Sequence, residues 1–366
     1  MRRIAHAALA LMLVAIAAQI AAQITVQSAG DVDYPAVAPG YVIELPRDEG
    51  SHPQFRTEWW YLTGLVQTES GEPLGFQVTF FRNRPGIDEA NPSRFAARQV
   101  LFAHAAVSDQ RRGALLRGEK SARAGFGLAE AAEGSLAVKI DDWSLRREGE
   151  RYLAEAATSE FALQLECAGT QSPLLNGDNG FSKKSPQPQF ASYYYSLPQL
   201  RTTGRIVIGG REHRVHGVAW FDHEWSSAML ERTASGWDWI GLNLDDGGAL
   251  MVQRIRDDEG RQHWAGATLR EPGQPDRTYV PGDIAWSPLR RWRSPRTGVT
   301  YPVEWQIVVG GRTILLRPLQ DDQENDARAS TGTLYWEGAV RAFDERGRAI
   351  GRGYLELTGY GERLRL

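Results

Sequence analysis

Apolar and polar residues alternate with a period of two along most of this chain, and short turn motifs separate the alternating segments. Residues 74–81 (LGFQVTFF) and 136–140 (LAVKI) show the pattern. A period of two sends successive side chains to opposite faces, which favours strands over amphipathic helices. Glycine-containing turns at 69–71, 245–248 and 310–311 supply the positive φ that tight hairpins need. Residues 119–133 have a helical composition but contain two glycines. The chain is therefore predicted to be all-β.

The length of 366 residues is too great for one ordinary barrel and suits two domains. A short internal sequence repeat supports this division. It consists of Trp60, Gly64, Leu65, Gly71 and Leu74 in one copy and Trp237, Gly241, Leu242, Gly247 and Leu250 in the other. A tryptophan on the first strand closes the floor of a small lipocalin-type barrel. We predict two lipocalin-like antiparallel β-barrels packed side by side, in domains 51–225 and 226–366.

The N-terminus has the pattern of a secretory signal peptide. Arg2 and Arg3 precede a nearly unbroken apolar stretch, and small residues follow up to Ala22. This predicts a cleaved signal over 1–22, a tether over 23–50 and an exported, periplasmic or secreted protein. The alternative is an uncleaved anchor, although the apolar core is shorter than the ~20 residues that a spanning helix prefers. The one cysteine, Cys167, lies far from a lipoprotein cleavage site and can form no internal disulfide.

Composition and missing motifs exclude several classes of function. The formal net charge of −3 gives no reason to expect nucleic acid as a partner. A Gly-x-Ser-x-Gly elbow, a phosphate-binding loop and a dinucleotide fingerprint are absent from the sequence. His223-Glu224 is followed by Ser227 where a zinc protease has its second histidine. His213 and His216 have an odd spacing, so a strand would point them to opposite faces. We expect neither a metal nor a cofactor.

Three clusters combine carboxylates with tryptophans: residues 57–61 (TEWWY), 220–225 (WFDHEW) and 236–239 (GWDW). In an extended strand, Asp222 and Glu224 lie on one face and His223 and Trp225 on the other. Both faces are then partly aromatic, which predicts a strand buried on both sides, as at a junction between two barrels. The 12 tryptophans predict large apolar pockets or thick aromatic cores.

Two interpretations of these acids remain open. In the first, Asp222 and Glu224 accept hydrogen bonds and stiffen the junction, because a buried carboxylate is costly unless it is paired. In the second, an apolar wall keeps Asp222 protonated so that it protonates an alkene, with His223 as orienter or relay. Tryptophan faces would then stabilise the carbocation. The tryptophans expected in this role are Trp59, Trp225, Trp237 and Trp239.

Four motifs resemble the AttH-like/carotenoid 1,2-hydratase family. They are residues 52–64 (HPQFRTEWWYLTG), 191–196 (ASYYYS), 217–225 (GVAWFDHEW) and 236–239 (GWDW), in that order. The resemblance runs from about residue 50 to the C-terminus and implies two lipocalin-like barrels. It also implies an activity or a partner. Some members add water across the terminal double bond of acyclic carotenoids, and others are exported proteins often encoded beside ABC-transporter permeases.

The resemblance implies roles for individual residues as well. The hydratase branch relies on the His and Trp of an Asp-His-x-Trp motif, matched here by His223 and Trp225. Its Tyr–Asp pair some 25 residues later has no counterpart in 250–254 (LMVQR). The candidate catalytic residues are Asp222, His223 and Trp225. The candidate ligand-binding residues are Glu58, Trp59, Tyr61, Tyr194, Trp237 and Trp239.

Three hypotheses follow. The leading one is an exported lipocalin-like protein that binds a hydrophobic, isoprenoid or lipid-like small molecule and assists an envelope ABC-transporter permease. The second is a hydro-lyase or isomerase that adds water to an isoprenoid alkene or rearranges it. The third is a structural envelope protein without a ligand. The long irregular stretch 169–192 is either a functional loop or a surface excursion.

Overall fold

The computed structural model describes residues 32–88 and 90–364. The predicted signal peptide, 1–22, lies outside these residues, as does the first part of the predicted tether. In the described part of the chain, no helix is long and apolar enough to cross a membrane. Residues 86–96 are assigned to a separate small unit, and the body formed by 34–85 and 97 onward carries both sheets.

The first sheet is antiparallel and curls into a nearly closed barrel. Its strands are β1 (Thr57–Thr68), β2 (Pro73–Asn83), β3 (Val100–Asp109), β4 (Leu116–Arg123), β5 (Ala129–Ala131), β6 (Ala137–Ile140), β7 (Trp143–Glu148), β8 (Arg151–Ala157), β9 (Phe161–Ala168), β10 (Leu174–Leu175), β11 (Phe181–Lys183), β12 (Ala191–Ile208) and β13 (Arg211–Ala228). The order is β4-β3-β2-β1-β13-β12-β9-β8-β7-β6-β5, with β10 and β11 paired to β12. Strands β4 and β6, from the two ends of the sheet, approach each other.

The second sheet is antiparallel as well. Its strands are β14 (Ala234–Leu244), β15 (Ala249–Asp257), β16 (Gln262–Arg270), β17 (Arg277–Tyr279), β18 (Ile284–Arg293), β19 (Thr300–Val309), β20 (Arg312–Pro318), β21 (Glu324–Ala327), β22 (Thr333–Phe343) and β23 (Ala349–Thr358). The order is β17-β16-β15-β14-β23-β22-β20-β19-β18, with β21 paired to β22. Short 3₁₀ turns occupy Arg47–Glu49 and Pro281–Asp283. The prediction of an all-β chain with two lipocalin-like antiparallel barrels is confirmed.

Each barrel begins with a buried acid that faces an arginine on the next strand. Glu58 lies opposite Arg82 in the β1–β2 register, and Asp238 lies opposite Arg254 in the β14–β15 register. The Arg254 Nε is 2.8 Å from the Asp238 Oδ2, and the Arg82 Nε is 2.8 Å from the Glu58 Oε2.

The sequence repeat that pairs Trp60 with Trp237 does not correspond to this structural repeat. Trp60 points into the first barrel, where its indole Nε1 donates to the Glu49 carbonyl oxygen at 3.0 Å. Trp237 points out of the second barrel and packs beside Trp59 of the first. Trp60 lies two positions after Glu58 and shares its strand face, whereas Trp237 lies one position before Asp238 and points to the opposite face.

The outward faces of the two sheets meet in a third cluster of buried apolar residues. Strand β1 contacts β23, β2 contacts β22, and β13 contacts β14. The cluster includes Tyr61, Leu65, Trp220, Trp239 and Tyr354. Strands that are apolar on both faces thus contribute one face to a barrel core and the other face to the layer between the barrels. Strand β13, which carries the 220–225 motif, belongs to both layers.

The described part of the predicted tether packs against the first barrel. Asp48 and Glu49 are buried, and the Glu49 carboxylate accepts from the Tyr152 hydroxyl at 2.7 Å. Arg147 donates to the same carboxylate at 2.9 Å. The 3₁₀ turn therefore supplies polar groups to the barrel interior.

Candidate ligand-binding site

A cavity opens between the outward faces of the two sheets. We call it the inter-sheet cavity. It contains about 100 Å³ of space that the centre of a water molecule can occupy. The first sheet and its loops contribute Thr57, Trp59, Tyr61, Thr79, Phe81, Lys184, Tyr194, Asp222 and Glu224, the link between the sheets contributes Met229 and Leu230, and the second sheet contributes Trp237, Trp239, Gln253, Ile255, Glu337 and Glu356.

Aromatic rings form much of the cavity wall because odd-numbered residues of β1 and β14 face outward. The Trp59 and Trp237 rings are nearly parallel, with centroids 6.5 Å apart and an interplanar angle of 15°. The rings of Tyr61 and Trp239 meet edge to face at 5.3 Å. Such walls offer large apolar surfaces and electron-rich faces.

Asp222 enters the cavity from β13 and accepts three hydrogen bonds from neutral donors. The donors are the Tyr194 hydroxyl at 3.0 Å, the Ser196 hydroxyl at 2.5 Å and the Trp220 Nε1 at 2.8 Å. The Trp239 Nε1 donates in turn to the Tyr194 oxygen at 2.9 Å. Burial raises the pKa of Asp222 to about 8, although the three donors favour the ionised form. Burial therefore favours the protonated form of Asp222 over a wider pH range than for an exposed aspartate.

A second acid of β13 is neutralised by the long loop. The Lys184 Nζ lies 2.6 Å from the Glu224 Oε1 and 2.6 Å from the Gln253 Oε1. Lys184 and Glu224 are both buried. Part of the 169–192 stretch thus packs against both sheets and contributes a charged residue to the cavity.

Two acids of the second sheet also line the cavity, and sequence reasoning missed them. Glu337 on β22 and Glu356 on β23 lie directly opposite each other in the strand register. The Trp237 Nε1 donates to Glu356 at 2.9 Å. Burial and the charge of Glu356 raise the pKa of Glu337 well above its usual value, and burial raises the pKa of Glu356 to about 7. Each acid is flanked by apolar strand residues, as in Leu355-Glu356-Leu357, and that pattern was an available signal.

His223 and Trp225 lie on the opposite face of β13, inside the first barrel. The His223 Nε2 is 2.9 Å from the Glu58 Oε1, and its Nδ1 is 2.9 Å from the Asp48 carbonyl oxygen. The His52 Nδ1 contacts the same Glu58 oxygen at 2.7 Å, and the His52 ring stacks on Trp225 at 3.9 Å. We call Asp48, His52, Glu58, Arg82 and His223 the Glu58 network.

The electrostatics of the Glu58 network differ from those of the cavity. Burial alone would raise the pKa of Glu58, but bonds from His223 and His52 and the charge of Arg82 hold it well below its usual value. Burial lowers the pKa of His223. For His52, bonds to Asp48 and Glu58 outweigh burial and raise the pKa. Glu58 is therefore a stably ionised, fully paired carboxylate.

Three members of the Glu58 network have metal-ligating groups. Ligand atoms of His52, Glu58 and His223 lie within 4.8 Å of one another. Both imidazoles meet one carboxylate oxygen, and Arg82 meets the other at 2.8 Å. Arg82 supplies the positive charge that a cation would bring, so this donor set is satisfied by hydrogen bonds alone.

The structure divides the candidate residues of the sequence between two places. Asp222, Trp59, Tyr61, Tyr194, Trp237 and Trp239 line the inter-sheet cavity. Glu58, His223 and Trp225 lie in the interior of the first barrel and contact one another through the Glu58 network and its stacked rings. His223 contacts Glu58 and the Asp48 carbonyl rather than Asp222.

The fold and the cavity define a two-barrel, lipocalin-like protein with an acid-containing aromatic cavity between the barrels. The AttH-like family model matches residues 36–360, and the chain belongs to this family. A crystal structure of an AttH from Nitrosomonas europaea is 45% identical, with a TM-score of 0.84, over 89% of this chain and 99% of that one.

A more distant structure shares the fold. The kievitone hydratase of Nectria haematococca is 14% identical, with a TM-score of 0.67, over 90% of this chain and 96% of that one. A comparison with curated protein sequences gives no match.

Proposed function

We propose that this protein binds a hydrophobic, isoprenoid or lipid-like small molecule in the inter-sheet cavity. The observation that carries the proposal is the enclosed space bounded by Trp59, Tyr61, Trp237 and Trp239. Ligand pockets in proteins are concave, mostly apolar, and contain a few placed polar groups. The cavity has this composition, and its walls come from two separate sheets, so ligand contacts would involve both barrels.

Two measurements test this proposal. Native mass spectrometry of the purified full chain should show a co-purified apolar molecule, or uptake of an added acyclic isoprenoid alcohol such as farnesol. Binding should quench tryptophan fluorescence, and Trp237→Ala should weaken binding at least tenfold. The matched control is Trp292→Ala, since Trp292 lies on β18 and does not line the cavity.

Two results would contradict ligand binding in the inter-sheet cavity. If farnesol and other neutral lipids leave the mass and the fluorescence unchanged, ligand binding is refuted and the structural role remains. If Trp292→Ala weakens binding as much as Trp237→Ala does, the ligand lies elsewhere.

A second candidate function is acid-catalysed hydration or rearrangement of an isoprenoid alkene. One observation favours it: Asp222 faces the cavity, and its burial raises its pKa to about 8. A carboxylic acid that keeps its proton at neutral pH can donate that proton, and water would then add to the resulting cation. Tyr194 and Trp239 hold Asp222 in position through consecutive hydrogen bonds.

Asp222→Asn tests the catalytic role. The variant should bind the isoprenoid but lose at least a hundredfold of any hydration rate, measured by incorporation of oxygen from H₂¹⁸O. The matched control, Asp141→Asn, makes the same chemical change on an exposed residue that pairs with Lys120. Equal rates in Asp222→Asn and wild type would refute the assignment, as would absence of turnover in wild type.

Export and a transporter partner are part of the same proposal. Support comes from the signal-like residues 1–22 and from the family resemblance. Fractionation of cells that express the full chain should place it outside the cytoplasm with its N-terminus near residue 23. Cross-linking in the native envelope should capture an ABC-transporter permease. A cytoplasmic protein with its first residues intact would refute export, and absence of a cross-linked permease would refute the partnership.

A further inference from the structure

The far wall of the inter-sheet cavity is built from a pair of carboxyl groups. Glu337 and Glu356 face each other across β22 and β23 in direct register. Side chains at such positions have Cβ atoms about 5 Å apart and share one face of the sheet. Both residues line the cavity: Glu337 is only 1% exposed, and Glu356 is partly exposed. The pair is thus fixed by the strand register rather than by flexible loops.

Two polar atoms at this wall lack a hydrogen-bond partner among the described residues. They are the Glu337 Oε1 and the Tyr61 hydroxyl oxygen, on side chains that are 1% and 6% exposed. Buried polar groups in proteins are almost always hydrogen-bonded. Tyr61 and Glu337 are close enough to act on each other, and the cavity beside them leaves room for a ligand group that completes their hydrogen bonds.

The charges around the pair are of one sign. The cavity lining contains four carboxyl groups and a single basic residue, Lys184, which pairs with Glu224. The charged neighbour that acts on Glu356 is Glu224, and the one that acts on Glu337 is Glu356. The other side chains that act on Glu337 are neutral: Tyr61, Tyr335 and Gln77. Removing acids from water without cations is costly, and either a bound proton or a bound cation lowers that cost.

The aromatic walls complement such a charge. Trp59 and Trp237 stand nearly parallel at the entrance to the pair, and the Trp237 Nε1 fixes Glu356 by donating to its Oε2. Tyr61 packs edge to face on Trp239. Cations bind over tryptophan and tyrosine faces, and proteins recognise alkylammonium groups by enclosing them in several such rings.

This inference rests on the proposed function: we propose that the ligand of the inter-sheet cavity carries a positively charged amine on an apolar body, and that Glu337 and Glu356 bind the charge beside the Trp59 and Trp237 rings. Tyr61 donates a hydrogen bond to a carboxylate of the pair once the cation has entered. The apolar body of the ligand lies along Phe81 and Ile255.

The experiment compares ligands of one length and different charge. Isothermal titration of the full chain with octyltrimethylammonium, octylamine, 1-octanol and octanoate gives four dissociation constants at pH 7.5. Both cations should bind at least tenfold more tightly than octanol, and octanoate should bind more weakly than octanol. Because octyltrimethylammonium keeps its charge at every pH, its affinity should rise with pH as the acids release protons.

Substitutions of the two glutamates test whether they bind the positive charge of the ligand. Glu337→Gln and Glu356→Gln should each remove at least tenfold of the cation preference while changing octanol affinity less than threefold. Glu166→Gln, an exposed acid outside the cavity, should change neither. Gln keeps the shape of Glu and removes a charge that lacks a basic partner, so both variants should fold. If one does not fold, the four ligands on the wild-type chain still decide the question.

Three outcomes overturn the inference. If octanol or octanoate binds as tightly as the cations, the cavity does not select charge, while ligand binding itself stands. If the cation preference survives in the Glu337→Gln/Glu356→Gln double variant, the charge is bound elsewhere. If none of the four ligands binds and farnesol also fails to bind, both this inference and the proposed function are refuted.

Discussion

Glu58→Gln is the substitution that best separates a structural role of the Glu58 network from a catalytic one. Glu58 is fully buried, and its carboxylate accepts from Arg82 at 2.8 Å and from Ser51 at 3.0 Å. The His52 Nδ1 and the His223 Nε2 lie 2.7 Å and 2.9 Å from the same carboxylate. The amide keeps the shape but leaves the buried Arg82 charge unpaired and places N–H groups beside donors. Removal of one partner from a buried ion pair costs about 3–5 kcal/mol in free energy of unfolding.

That cost gives a measurable change in melting temperature. For a domain of this size, 3–5 kcal/mol corresponds to roughly 6–20 °C in Tm. The exposed pair of Arg151 and Glu166, 3.1 Å apart, provides the matched control. Glu166→Gln should lower stability by about 0–1 kcal/mol, because solvent screens surface pairs.

The pH dependence has a definite sign. The pKa of Glu58 is lowered in the folded protein, so the pairing stabilises the fold above the ordinary glutamate pKa near 4.5. This stability is lost as the pH falls through the lower pKa of the folded state. Urea unfolding of Glu58→Gln and wild type should therefore converge in acid. A loss below about 1 kcal/mol at pH 7, or a difference that does not shrink in acid, would refute the paired-carboxylate reasoning.

Three further substitutions or probes test the site and the core. Asp222→Asn should equal or exceed wild type in urea stability at pH 8. Because the pKa of Asp222 is raised to about 8 in the folded protein, the stability that this carboxyl group contributes is fully present below pH 3.8 and declines as the pH rises to 8. A loss above about 2 kcal/mol would contradict this expectation. Lys184→Met should lower the free energy of unfolding by about 3–5 kcal/mol, because it leaves the buried Glu224 carboxylate unpaired. Glu224→Gln in the same chain should restore part of this loss in urea titrations. An unchanged urea midpoint in Lys184→Met would refute the pairing. Cys167 should react with a thiol reagent only after unfolding, because the thiol is buried and burial raises its pKa to about 12. Rapid labelling of the native protein would contradict this, since it would show that the barrel around Cys167 opens.

Alternation along the strands was sufficient to predict the fold class, because both sheets are built from strands with that pattern. Period-two reasoning also assigned the faces of β13, because Asp222 and Glu224 face the cavity while His223 lies with Glu58 in the barrel. Local geometry alone determines these features, so one sequence contains the required information.

The cavity itself depends on contacts that local patterns do not encode. Glu337 and Glu356 follow the 236–239 cluster by about a hundred residues, and only the order of the second sheet brings them to the same wall. Lys184 comes from a loop with no periodicity, and its position follows from pairing of β11 with β12. Trp60 and Trp237 also differ in environment for a local reason, since Trp60 lies two positions after Glu58 and Trp237 lies one position before Asp238, on the opposite strand face.

The two faces of β13 explain why one short motif resembles a catalytic signature and yet divides its residues between two environments. His223 and Trp225 face the barrel core, where pairing holds Glu58 ionised. Asp222 faces the aromatic cavity, where burial keeps a proton on the acid. Substitutions at odd positions should therefore act first on stability, and those at even positions first on ligand binding.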